Sequence, residues 1–151
     1  MATNIEIVFE SFLSKIADYK FTLTNTTPIN IHEELLGYYK SSYFRFVQCP
    51  KDLDLTHSNF INLPEDETVS IKGDLNRFEV EILAKLMLVE YLSSKIHTED
   101  LMGQVLNDRD FNINSQANHL QQMQGLRRSA TLDVNQDIMK YSWAVQSDVY
   151  D

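Results

Sequence analysis

The sequence predicts a mainly α protein, a small helical bundle of about four to five helices. It adds a long C-terminal helix, an irregular central loop with one strand of a small hairpin, and an extended C-terminal tail. Two observations carry this. Gly (4) and Pro (3) are scarce among 151 residues, so tight turns are few. Apolar residues recur at spacings of three and four over most of the chain, the period of a helix with one buried face. The length suits one domain, taken as 1–142, followed by a tail at 143–151.

The first helix is expected from Thr3 to Asp18, with Ile5, Val8, Phe9, Phe12, Leu13 and Ile16 on one face. Thr3 or Asn4 can cap it, and Thr3 and Glu6 have the spacing of a capping box. A Thr- and Asn-rich loop covers Lys20 to Pro28, with a short extended piece at Phe21–Leu23. The second helix is expected to start near Asn30, where Asn30 and Glu33 form a start signal, and to end before Cys49-Pro50. Leu35, Leu36, Tyr39, Tyr43, Phe44 and Val47 would form its apolar face.

Lys51 to Asp74 reads as a loop laid over the core, carrying an exposed acidic turn at Glu65, Asp66 and Glu67. Thr68–Lys72 alternates as a strand of a hairpin would. Asn76 to Glu79 repeats the start signal, and the helix after it is apolar around well over half its circumference, which predicts a central, buried element ending near Lys95. A short fourth helix is expected from Thr98 through Leu106. The last begins near Asn112–Ser115 and runs to Tyr141; at about 28 residues it would span about 40 Å, long enough to lean on another chain. Ser142 to Asp151 alternates apolar and polar residues and holds the single Trp; it reads either as a frayed terminus or as an interface segment that adds to a neighbouring subunit.

The search for chemistry returns little. The four histidines (His32, His57, His97, His119) fall in separate segments, and acids beside two of them suit helix starts, so no metal site and no cofactor are expected. Asp108-Arg109-Asp110 lacks the Gly and terminal Glu of a calcium loop. No glycine cluster could cradle phosphate. Cys49, the one cysteine, precedes a proline, where it serves as a small filler, and it excludes an intrachain disulfide. A reducing compartment, no secretory signal and no membrane are expected.

The formal net charge is −9. Between Asp52 and Asp110 thirteen acids face five bases. Such a surface repels nucleic acid. Arg127 and Arg128 form the one adjacent basic pair, in polar surroundings. With no catalytic apparatus, the expectation is a non-enzymatic docking subunit. Its interface would be built from Tyr141, Trp143, Val145, Val149, Tyr150, Arg127 and Arg128.

Three segments together resemble a known family. They are Glu33–Leu36 with Tyr43–Phe46 and Cys49–Leu53; Phe78 to Leu92; and Leu106–Phe111 running into Ser115–Leu120, closed by Tyr141-Ser142-Trp143. In this order they resemble the neck proteins of tailed bacteriophages, the head–tail connector or adaptor subunits, over roughly Ile31 to Trp143. The resemblance implies a virion protein of the neck, assembled in the host cytoplasm. It implies a ring of copies of itself, typically a dodecamer, seated on a portal protein and touching the next neck or tail protein. The ring would continue the channel, with DNA passing through without specific binding. Glu65, Asp66 and Glu67 would then face the channel or the next ring. Two other readings fit the acidity and size: an acidic decoy that binds a nucleic-acid-binding protein in place of DNA, and a different neck protein such as a stopper or terminator.

Overall fold

The computed structural model describes residues 2–18, 27–106 and 113–150, with side chains over 2–17, 27–98 and 118–145. It is mainly helical. The elements are β1 (Thr3–Asn4), α1 (Ile5–Asp18), α2 (Pro28–Tyr43), β2 (Ser70–Ile71), α3 (Arg77–Leu106) and α4 (Ile113–Tyr150). The short extended piece expected at Phe21–Leu23 lies outside the described residues.

The centre is α3. It packs on α1, α2 and α4. Ile82, Leu83, Ala84, Leu86, Met87, Val89, Tyr91 and Leu92 are all buried, which is why its sequence is apolar nearly all round. The reciprocal capping box expected at its start is present. Asn76 Oδ1 accepts from the Glu79 N–H at 2.9 Å, and Glu79 Oε1 accepts from the Asn76 N–H at 2.8 Å. Three rings join three helices: Phe12 of α1, Tyr38 of α2 and Tyr91 of α3 lie 5.9–6.0 Å apart, in edge or tilted contacts. Burial pushes the Tyr38 and Tyr91 hydroxyls up to about 12.

The described structure departs from the sequence expectation at six places. Of the two expected caps of α1, Asn4 serves and Thr3, with its capping box to Glu6, does not. Thr3 Oγ1 donates to Gly73 O and accepts from Leu75 N, both at 2.8 Å, while Asn4 Oδ1 takes the Glu6 N–H at 3.0 Å. α2 starts two residues early because Pro28, with its preset φ, occupies the first turn. It also ends at Tyr43, which leaves Phe44 and Val47 exposed rather than buried.

The expected hairpin is instead a long-range pairing. Ser70–Ile71 runs antiparallel to Thr3–Asn4, in the register Thr3 to Ile71 and Asn4 to Ser70, with a bridge from Ile71 to Leu55 on the other side. Alternation shows a strand but not its partner. This patch seats the loop at the N-terminal end of α3. Gly73 is needed there because a Cβ would stand 2.8 Å from Asp52 O, the same carbonyl that accepts the Gly73 N–H at 2.7 Å.

The expected third and fourth helices are one. Neither Gly nor Pro interrupts Ser93-Ser94-Lys95. The hydroxyls of Ser93 and Thr98 donate back to the carbonyls of Val89 and Ser94, so they serve the helix rather than end it. Likewise the segment taken as an extended tail continues α4 to Tyr150. Its apolar residues fit a period of four as well as of two: Tyr141 and Val145 lie on the core side, Met139 and Trp143 on the other.

Candidate docking surface

The inner face of α4 is fixed to α3 by packing and by charge. Met123, Val134, Ile138 and Tyr141 are buried. Lys85 of α3 reaches Asp133 at 2.9 Å and Asp137 at 2.5 Å on α4. Burial works against the Lys85 charge, but the two carboxylates outweigh it and hold its pKa above the ordinary lysine value.

Farther along, a buried cluster ties α4 to the loop after α2. Glu79 is fully buried. Its Oε1 accepts from Lys51 Nζ at 2.5 Å and its Oε2 from the Tyr141 hydroxyl at 2.7 Å, with Cys49 Sγ at 3.4 Å. Burial alone would raise the Glu79 pKa. The Asn76 N–H, the Lys51 ammonium, Tyr141 and Cys49 together hold it below the ordinary carboxylate value. Burial and the neighbouring carboxylate push the Tyr141 hydroxyl up. Burial pushes the Cys49 thiol up as well, which keeps it protonated and a poor nucleophile. The arrangement is therefore a tie: every polar atom is spent on another of the same cluster.

Tyr141 thus belongs to the interior, with its ring 5.0 Å from Phe46 and 5.9 Å from Phe78, and is not presented as an interface anchor. Trp143, two residues on, is 70% exposed. Val145 is half-buried against the core. The side chains of Val149 and Tyr150 lie outside the described residues. Glu65, Asp66 and Glu67 are all exposed, and Glu67 pairs with His57 at 2.9 Å.

The outer face of α4 carries a second apolar row, of which sequence reasoning named Trp143 and missed Leu132 and Met139. Leu132, Met139 and Trp143, separated by seven and four residues, fall on one side of the helix and are 59%, 58% and 70% exposed. The legible signal is the i, i+7, i+11 spacing, which the longer inner row on the same helix masks. Near Leu132 this face meets a groove of about 640 Å³ between α3 and α4. His97, Arg127 and Arg128 line it, together with Ser93 and Thr131. Arg127 Nε donates to Ser93 Oγ at 2.7 Å, and no carboxylate among the described residues pairs with either arginine.

Among the described residues, no group of three His, Cys, Asp or Glu side chains could hold a metal ion, and no helix is long and apolar enough to cross a membrane. Fold and surface together define a helical bundle whose longest helix is apolar on two opposite sides. No family model, no curated protein and no solved structure matches the chain.

Proposed function

We propose that this chain is a non-enzymatic assembly subunit of the head–tail connector kind, forming a ring on a portal protein and continuing the DNA channel toward the tail. The observation that carries the docking role is the double-sided α4. Its inner row is satisfied within the chain, while Leu132, Met139 and Trp143 present a second row to a partner. Trp, which ends this row, is among the residue types most enriched at binding hot spots. The connector assignment rests on the resemblance of the segments between Ile31 and Trp143 to phage neck proteins.

The acidic decoy is less well supported. A decoy needs its carboxylates free to imitate phosphates, and here Glu79, Glu81, Glu90, Asp133 and Asp137 are each paired with a lysine or arginine of the same chain.

Replacing Met139 and Trp143 together with Ser tests the reading. Both side chains are exposed, so the melting temperature should stay within a degree or two. Affinity for the portal protein encoded in the same genome should fall about 30-fold or more, as loss of a hot spot worth about 2 kcal/mol requires. Unchanged portal binding would remove the outer row from the interface.

A further inference from the structure

We infer that the arginine groove between α3 and α4 receives the acidic turn at Glu65 and Asp66 of a second copy of this chain, making the contact between neighbours head-to-tail. The inference rests on the proposed ring and names the surfaces that would close it.

Charge complementarity carries the argument. On a chain of net charge −9, Arg127 and Arg128 line one groove with no carboxylate partner among the described residues. The acidic turn is the opposite case. Glu65 and Asp66 are exposed, with no basic partner among the described residues, since His57 engages only Glu67. Each patch also has an exposed apolar neighbour, Leu132 beside the groove (59%) and Ile61 close to the turn in sequence (66%). A contact between them would bury apolar surface within a charged rim, as protein interfaces do.

The two patches cannot satisfy each other within one molecule. The acidic turn leads straight into β2, which is fastened to Thr3–Asn4 and, through Thr3, to the start of α3 at Leu75. The groove opens at Ser93, 16 residues past Arg77, an axial rise of about 24 Å. Glu65, the far end of the turn, lies five residues before Ser70, so even a fully extended chain keeps it within about 17 Å of β2, short of that rise. Two complementary patches at different ends of one subunit make a heterologous contact, which generates a ring when the rotation closes.

The test is a charge exchange in the full chain, with masses measured at low salt across a concentration series and again on the portal protein. The variants are Arg127→Glu with Arg128→Glu, Glu65→Lys with Asp66→Lys, and all four combined. All four side chains are exposed, and helical content measured alongside checks that each variant folds. Each paired variant should weaken self-association at least tenfold, and the fourfold variant should recover most of the loss. Paired variants that associate like the parent chain, loss without recovery in the fourfold variant, or a parent chain that never self-associates would each overturn the inference. The connector reading is judged separately, by whether the parent chain binds the portal at all.

Discussion

Replacing Glu79 with Ala is expected to destabilise the protein by about 3–5 kcal/mol, the range for removing one partner of a buried ion pair. Glu79 is fully buried and serves three structures at once. It closes the capping box of α3 through Asn76, holds the loop after α2 through Lys51, and anchors α4 through Tyr141. Its loss leaves the Tyr141 hydroxyl only the long contact to Cys49 Sγ at 3.8 Å and removes the side-chain acceptor of the Asn76 N–H. Glu79→Gln should cost less, because the amide oxygen can still accept and Lys51, partly exposed, can rehydrate. Denaturant unfolding distinguishes the two.

The same carboxylate gives the protein an acid limit. Its folded pKa lies below the ordinary value of 4.5, so the stability it contributes is fully present above that value and is lost as pH falls through the folded pKa. Glu81, held low by Lys15 and Ser11 against the opposing effect of burial, acts in the same direction at the α1–α3 contact. The parent chain should therefore lose stability on acidification below about pH 4.5, and Glu79→Gln should flatten that loss.

Leu86→Ala is the second large effect. Leu86 is 3% exposed in the N-terminal half of α3, between Leu83 and Met87. Truncation at a buried leucine costs about 2–5 kcal/mol, depending on how far the neighbours relax into the space. Here three helices press on α3, which leaves little room for relaxation. A shift of under 0.5 kcal/mol on denaturant unfolding would mean that α3 is peripheral. Leu132→Ala, on the outer face of α4, supplies the contrast and should change stability by no more than that amount.

Much of the fold was legible because it depends on local periodicity. The inner face of α1, the start of α3 at Asn76 and the burial of Phe78's successors from Ile82 to Leu92 all follow from spacing and capping. What escaped depends on contacts distant in sequence. Nothing near Ser70 announces that it pairs with Asn4, and nothing near Lys51 announces that its partner is Glu79. The helix end expected at Ser93–Lys95 failed for a related reason: Ser can stop a helix or feed its hydroxyl back into one, and burial of Leu92 on the same turn decides which. The candidate surface was half legible. Trp143 and the two arginines stand exposed, whereas Tyr141 turns inward to the carboxylate of Glu79.

The proposed role is that of a ring subunit docked on a portal protein. Its most direct test is the mass of the purified protein, alone and mixed with the portal protein encoded in the same genome. The expected result is a complex holding one copy of this chain for each portal subunit. A protein that ignores the portal at every concentration and salt tried would contradict it, and would return the exposed row on α4 to the search for a different partner.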